Sequence, residues 1–245
     1  RRVTLDKYKM TLRWLRKLIP DLKIKDLTRI SYQELLNEYA LEHERQTTMD
    51  FHHQLKSSIL DAFDDGLINR DPTRKTVVKG KKPGKKKQKY LSEFELKMLL
   101  RHLHLGTEPN LDWLILLVAK TGLRFGEALG LTKEDFDFEN QIINISKTWD
   151  YKAARGGFKS TKNKSSIRKV QLDWKLCMQF NTLLRDFPDG TPIFVKKRVF
   201  NSTVNNRLKQ YCEELAIPII SIHGLRHTHA SMLLFAGVSI ASVAK

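Results

Sequence analysis

A basic run containing proline and glycine constrains this fold most, because it divides the chain at residues 71–89. The run is DPTRKTVVKGKKPGKKKQK, and residues 74–89 carry nine Lys and Arg side chains and no acidic one. Proline, glycine and dense like charge oppose a packed helix or strand. We therefore expect a linker at 74–90 that joins a first domain at 1–73 to a second domain at 91–245.

The positive charge is concentrated in patches. The net charge is +17, yet residues 1–73 carry 13 basic and 12 acidic side chains. Residues 147–169 carry eight basic side chains against the single acid Asp150. Local patches of this kind indicate a polyanionic partner, most simply nucleic acid. A basic protein without such a partner remains the alternative on charge alone.

The positions of the cysteines and the hydropathy of the chain indicate the cellular compartment. Cys177 and Cys212 lie far apart in helix-like segments, a usage that fits a reducing, cytoplasmic environment. No run approaches the ~20 apolar residues that a membrane helix needs, so we expect no membrane partner.

The first domain has the periodicity of a helical unit. Residues 4–19 place leucines on one stripe, and 47–65 repeat apolar residues every fourth position. Ser31 with Glu34 is a capping-box pattern that predicts a helix to about Leu41.

The second domain mixes helices with a few strands. Ser92 and Glu95 form another capping box, which predicts a helix to about Leu105. The pattern is typical of a mainly α domain with a small antiparallel β-sheet, an α+β fold. Further helices are predicted at 111–120, from near Leu123, and at 173–186, 203–216 and 222–236, and strands at 135–138, 141–148 and 167–172.

Three segments of this domain carry side chains suited to phosphate chemistry. In TGLRFGEALGL (121–131), Arg124 precedes a helix and Glu127 follows on the same face. A guanidinium fixed by a carboxylate presents a fork to phosphate oxygens. A purely structural ion pair is the commoner explanation of such a pair taken alone.

The second segment is basic and lies between two strands. KSTKNKSSIRK (159–169) is predicted to be a hairpin loop whose lysine enters a DNA groove and protonates a leaving oxygen. A solvated charged turn is the alternative.

The third segment, HGLRHTHAS (223–231), places His223 and Arg226 on one face of a helix N-terminus, where anions are favoured. Its three histidines also allow a zinc site, but their spacing fits no familiar zinc pattern. His227 and His229 can equally be packed or hydrogen-bonded.

Taken together, in this order and spacing, the three segments resemble the conserved boxes of tyrosine recombinases of the phage and conjugative-transposon integrase family. The resemblance covers 91–245, and 1–73 resembles the family's helical, SAM-like core-binding domain by its placement. It implies an enzyme that cleaves and rejoins duplex DNA at a core site through a 3′-phosphotyrosyl intermediate. Such an enzyme integrates and excises a mobile element, and requires no metal or other cofactor.

The resemblance also implies roles for individual residues. Arg124 and Arg226 would bind the non-bridging phosphate oxygens, and Glu127 would orient Arg124. His223 would assist proton transfer. The general acid for the leaving 5′ oxygen would be Lys162, with Lys164 as the rival. The remaining expected DNA contacts are Lys79, Lys81, Lys82, Lys85, Lys86, Lys87, Lys159, Lys164 and Arg168.

The family pattern also requires a third box and a tyrosine nucleophile. None of the six tyrosines follows HGLRHTHAS, so we expect a fragment that binds DNA without cleaving it in cis. We expect the full-length protein to assemble as a tetramer on DNA. Two alternatives from other classes are a non-catalytic DNA-binding regulator and a zinc-dependent hydrolase built on the histidines.

Overall fold

Helices and short antiparallel strands make up the protein, so the predicted α+β class is confirmed. No helix among the residues that the structure describes is long and apolar enough to cross a membrane. The chain divides into two compact units, Arg1–Lys86 and Lys87–Lys245. The computed structural model describes residues 2–84, 88–153, 155–161 and 166–244.

The described part of the first unit contains three α-helices and a 3₁₀ turn at Ile24–Asp26. The helices are α1 (Arg2–Leu18), α2 (Arg29–Glu42) and α3 (Arg45–Asp64). The helical spacing therefore predicted all three. Their apolar faces enclose a core in which the Tyr39 ring stacks on the Phe51 ring with centroids 3.9 Å apart.

The start of α2 differs from the prediction. Ser31 N donates to Thr28 Oγ1 at 3.1 Å and Thr28 N donates to Ser31 Oγ at 3.0 Å. The reciprocal capping box is thus built by Thr28 and Ser31, and the predicted pairing of Ser31 with Glu34 is wrong. The serine hydroxyl takes the place that Glu or Gln has in the usual box.

Part of the expected linker belongs to the first unit and is hydrogen-bonded to its helices. The Gln33 side-chain amide donates to Val77 O at 2.8 Å and accepts from Val77 N at 2.9 Å. Lys81 N donates to His43 O at 2.8 Å. The Gln33 side-chain amide and the His43 carbonyl thus form the hydrogen bonds that the backbone groups of Val77 and Lys81 would otherwise form with a neighbouring strand. Lys79, Lys81 and Lys82 lie on this docked stretch, whereas Lys85, Lys86 and Lys87 lie outside the described residues.

The second unit is built around α5, whose residues are nearly all buried. Helix α5 packs against α9, the helix that carries HGLRHTHAS. This packing brings the first and third sequence segments together. The helices are α4 (Glu93–His102), α5 (Leu111–Thr121), α6 (Phe125–Leu129), α7 (Trp174–Leu183), α8 (Asn201–Glu214), α9 (Ile222–Phe235) and α10 (Ile240–Ala244).

The predicted strand 141–148 is two strands that belong to different sheets. One sheet has the order β1-β2-β5, with Ile143 opposite Val170, and the other pairs β3 with β4. Beyond the division, the β3 backbone lies against the end of α6: a Cβ added to Gly130, the residue after the helix, would be 2.9 Å from Thr148 Cα. The strands are β1 (Phe136–Asp137), β2 (Ile142–Ile145), β3 (Lys147–Trp149), β4 (Phe158–Ser160) and β5 (Arg168–Gln171).

Candidate active site

An open cleft of about 570 Å³ lies in the second unit and contains three of the residues singled out from the sequence: Arg124, Glu127 and His223. Residues from α6, β3 and the starts of α8 and α9 line it, so segments distant in sequence meet here. Its other lining residues include Thr148, Tyr151, Thr161, Ser166 and Asn201.

Arg124 is delivered to the cleft by a sharp change of direction after α5. Gly122 ends that helix in the left-handed conformation, with φ +64°, and its N–H donates to Val118 O at 2.9 Å. A Cβ at this position would be 2.6 Å from His229 Cδ2, so glycine is required on both counts. The Arg124 side chain is 53% exposed and is therefore open to a ligand.

Glu127 is the buried carboxylate of the site, with its side chain 5% exposed. Its Oε1 accepts from Arg124 Nη1 at 2.8 Å, and its Oε2 accepts from Arg124 N at 3.0 Å. Burial acts to raise the pKa of Glu127, but hydrogen bonds from Arg168 and Arg124 outweigh it and lower the pKa. Glu127 is therefore ionised and fixes the base of the Arg124 fork.

Arg168 is the third member of this cluster. Its Nη2 donates to Glu127 Oε2 at 2.9 Å, and the side chain is only 18% exposed. Its Nη1 also donates to Ser166 O at 3.3 Å. The sequence analysis placed Arg168 among the DNA contacts, a role that stays a prediction. The structure places its guanidinium on the buried carboxylate.

Arg226 reaches the cluster from α9. It is half-buried, and its Nη1 donates to Gly122 O. Burial lowers the pKa of the Arg226 guanidinium, and the nearby charge of Arg124 lowers it further. Three guanidinium groups against one carboxylate leave a formal charge of +2, from 3 − 1. Among the described residues, Glu127 is the acid paired with this group, so a net positive charge remains, which is the electrostatic condition for binding an anion.

His223 lies at the start of α9, one turn before Arg226. The helix begins at Ile222, whose N–H donates to Asn205 Oδ1 at 2.8 Å. Burial lowers the pKa of His223, as do the neighbouring charges of His227 and Arg226. The imidazole is therefore neutral at neutral pH and offers one N–H donor and one acceptor nitrogen to the cleft.

The histidines do not gather as a metal site. His223 and His227 meet edge to face with centroids 4.7 Å apart, whereas His229 packs against Gly122. Within the described ranges, no group of three or more His, Cys, Asp or Glu side chains is arranged to hold a metal ion. The zinc-hydrolase alternative therefore gains no ligand set from these residues.

Lys162 and Lys164 lie outside the described residues. Thr161 and Ser166, the described residues on either side of 162–165, both line the cleft. Lys159, an expected DNA contact, forms an ion pair with Asp150.

The loop that contains these lysines was predicted to be a hairpin, but the strands around it belong to different sheets. Strand β4 pairs with β3, whereas β5 pairs with β2. The loop therefore connects two sheets and does not close one ladder.

With this geometry established, comparison with known proteins decides the family. The phage integrase family matches residues 89–245, which is more than half of the chain. The chain belongs to the phage integrase family. The resemblance that its three motifs indicated is thereby confirmed.

Two relatives illustrate the relationship. The prophage ps2 probable integrase of Lactococcus lactis subsp. lactis (strain IL1403) is 32% identical over 198 residues, 70% of this chain and 51% of that protein. The integrase of Staphylococcus phage L54a is 28% identical over 144 residues, 52% of this chain and 41% of the relative. The chain thus spans about half the length of these curated relatives.

Solved structures show the same fold. The Tn1549 transposon integrase in complex with transposon right end DNA has a TM-score of 0.76 at 21% identity, covering 97% of this chain and 84% of that one. A lambda integrase dimer bound to a COC′ core site has a TM-score of 0.68 at 15% identity, covering 99% and 83%. Identities this low establish the integrase fold and leave function to the site.

Sequence reasoning missed two features of this integrase site. Tyr151 lines the cleft and packs edge to face on Phe125 with centroids 4.9 Å apart, but lies in no motif. The inward direction of Arg168 had a signal: residues 167–172 alternate, and Arg168 lies on the same side as the half-buried Val170. The basic surroundings of Arg168 obscured that alternation.

Proposed function

We propose that this chain is the DNA-binding and phosphate-activating core of a site-specific recombinase. The observation that carries the proposal is the cluster of Arg124, Arg168 and Arg226 around the buried Glu127, beside an open cleft. A phosphodiester carries one negative charge and gains a second in the transition state of attack. Fixed cations that are already in place stabilise that added charge best.

In this proposal Arg124 and Arg226 bind the non-bridging oxygens of the scissile phosphate. A tyrosine hydroxyl attacks phosphorus and forms the 3′-phosphotyrosyl bond, and its proton passes to His223. The bond to the 5′ oxygen breaks, and that oxygen takes a proton from Lys162, or from its rival Lys164. A 5′-hydroxyl of the partner strand then attacks phosphorus and releases the tyrosine. One phosphodiester forms for each that breaks, so the exchange consumes no ATP.

His223 acts in this scheme as a neutral hydrogen-bond donor and proton carrier. Its lowered pKa supports that role, because an imidazole that is neutral at working pH can take a proton as well as donate one. Glu127 and Arg168 are positioning residues, since their side chains bond to each other and to Arg124. A non-catalytic regulator has no need to crowd three guanidinium groups in this way.

The proposed partner is duplex DNA at a core site. The Tn1549 and lambda integrases of similar fold are described as complexes with DNA, and the basic linker supplies phosphate contacts. We further propose that residues 1–73 act as the core-binding domain and 91–245 as the catalytic domain. The full-length protein would work in the cytoplasm as a tetramer on DNA, to integrate or excise a mobile element.

Two measurements test the proposal. The 245-residue chain should bind duplex DNA with an affinity that falls steeply with salt. The full-length protein should form a covalent adduct on a nicked duplex that carries a site selected by binding. Duplex binding with no adduct from the full-length protein would favour the non-catalytic regulator.

A further inference from the structure

A second cleft of about 250 Å³ adjoins the candidate active site. Four basic side chains line it, from two segments of the chain that no motif includes: Arg155, Lys196, Lys197 and Arg198. Tyr151 lines both clefts, so the two share a wall. A polymer with one phosphate in the first cleft therefore has the second cleft beside it.

Most of these cations have no acidic partner. Lys196 forms an ion pair with Glu108. Arg155, Lys197 and Arg198 form no ion pair with any acid in the part of the chain that the structure describes, and all three are exposed. Their charges are therefore available to an outside anion.

Other basic side chains near the active site are already neutralised. Lys147 Nζ contacts both Asp135 carboxylate oxygens, at 2.5 and 2.6 Å, and Lys159 pairs with Asp150. A cation that must first leave a carboxylate gains less from a phosphate than an unpaired one does. The unpaired cations of the second cleft are thus the stronger anion sites, although Lys159 lies in the motif.

The floor of the cleft is an aromatic side chain that is already packed. Trp149 meets Phe158 edge to face with centroids 5.0 Å apart. Gly156, with φ +66°, lies so close that a Cβ there would be 2.8 Å from Trp149 Cζ2. The ring is half-buried and Gly156 lies against it, so it offers little free surface to a nucleobase. The cleft therefore suits backbone phosphates, which need cations and no stacking surface.

We propose that Arg155, Lys197 and Arg198 bind backbone phosphates of duplex DNA that flank the phosphate held by Arg124 and Arg226. The inference rests on the proposed function for the identity of the polymer. Guanidinium and ammonium groups at neighbouring positions match successive phosphates, and such contacts position a duplex without reading its sequence.

A charge-matched pair of double variants tests the assignment. Arg155→Gln/Lys197→Gln removes two cations from the cleft. Arg101→Gln/Lys175→Gln removes one Arg and one Lys that are exposed, line neither cleft and pair with no described acid. All four side chains are exposed, so both variants should keep the wild-type melting temperature. Arg198 is left unchanged because its guanidinium lies over the Phe200 ring, 4.6 Å from the centroid.

The probe is a fluorescent random-sequence duplex of about 30 base pairs, about three helical turns, titrated with each protein at several salt concentrations. The cleft variant should bind about tenfold more weakly or worse at about 0.1 M salt. The slope of log K against log salt should fall by about two, one for each lost phosphate contact. The matched control should keep the wild-type slope.

The contrary results are distinct. In the first, the cleft variant binds the duplex like its control while the wild-type affinity still falls steeply with salt. In that case the second cleft is not a phosphate site, and the proposed function is unaffected. If the cleft variant loses affinity for polyglutamate but not for the duplex, the partner is an acidic protein and the DNA assignment is wrong. A wild-type chain that fails to bind the duplex would overturn the proposed function and this inference together.

Discussion

Arg168 Nη2 lies 2.9 Å from Glu127 Oε2, and this bond joins two residues 41 positions apart in sequence. The same carboxylate holds Arg124 through its backbone N–H and its guanidinium. Glu127 thus ties the end of the lysine-containing loop to the arginine at the head of α6. Arg168 therefore supports the site from within the protein. An experiment can distinguish this supporting role from a direct contact between Arg168 and DNA.

Arg168→Ala should lower the free energy of unfolding by about 1–3 kcal/mol, because it removes a charge-assisted hydrogen bond from the buried Glu127 and leaves Oε2 with the Arg124 N–H alone. DNA affinity should change little and its salt slope should stay constant, because the Arg168 guanidinium is engaged inside the protein. Urea unfolding and fluorescence anisotropy measure the two effects. A slope lower by about one with unchanged stability would make Arg168 a direct phosphate contact.

Arg226→Ala should abolish the covalent adduct of the full-length protein while leaving duplex binding largely intact. Losing one fixed cation at a developing charge costs about 10²–10³ in rate. Adduct formation over time, followed on denaturing gels, gives the rate. Arg207→Ala is a suitable control, since Arg207 lies over the Tyr211 ring, 5.5 Å from its centroid, and outside the cleft. Cleavage by Arg226→Ala at the wild-type rate would refute the role.

The helices were predictable because their signals are local. Ser92 and Glu95 form the predicted capping box of α4, and the apolar run at 111–120 became α5, which ends at Gly122. The start of α2 was misplaced because a serine hydroxyl can replace a glutamate in the reciprocal cap. Periodicity and capping patterns therefore predicted where the helices lie, but predicted the residues at which they begin and end less accurately.

The site was only partly predictable, because its decisive contacts are long-range. Motifs identified Arg124, Glu127 and His223, which the fold brings into one cleft. No local pattern shows that Arg168 bonds to Glu127, or that Tyr151 lies between two clefts. Those contacts depend on how β3 and β5 pack near α6. The spacing of apolar residues along the sequence does not predict that packing.

The docked linker carries a prediction about nonspecific affinity. Changing Lys79, Lys81 and Lys82 to Gln should weaken binding to all duplex sequences similarly and lower the salt slope by about three, one for each phosphate contact. Anisotropy titrations with two unrelated duplexes measure both effects. The slope of an equally charged triple variant on α1, Lys7→Gln/Lys9→Gln/Arg13→Gln, supplies the reference. Equal slopes in the two variants would show that the docked lysines have no special role.

The stability of the second unit should depend on pH through His229. Burial lowers its pKa in the folded state below the ordinary value of about 6.5. As the pH falls below about 6.5, the unfolded chain takes up the proton first, so unfolding becomes easier. His229 therefore contributes stability that is present above about pH 6.5 and is lost as the pH falls toward the folded pKa.

The variant His229→Gln removes the titration and keeps a hydrogen-bond donor. Between about pH 7 and about pH 5, the wild type should lose more free energy of unfolding than this variant, because only the wild type has the imidazole whose pKa the fold lowers. Urea unfolding at the two pH values measures the difference. His223, whose pKa is also lowered, is present in both proteins, so the difference between them reports on His229. Identical losses in wild type and His229→Gln would contradict the assignment.

The choice of nucleophile gives a prediction for the 245-residue chain itself. Tyr211 is a poor candidate, because burial and its hydrogen bond to Asp112 at 2.7 Å raise the pKa of Tyr211 to about 12. Tyr151 does line the cleft, but it precedes the HGLRHTHAS motif. We expect this chain to bind a nicked duplex without forming a covalent adduct, since no tyrosine of the 245 residues follows the HGLRHTHAS motif. An adduct seen on a denaturing gel and lost in Tyr151→Phe, with binding retained, would instead identify Tyr151 as the attacking residue.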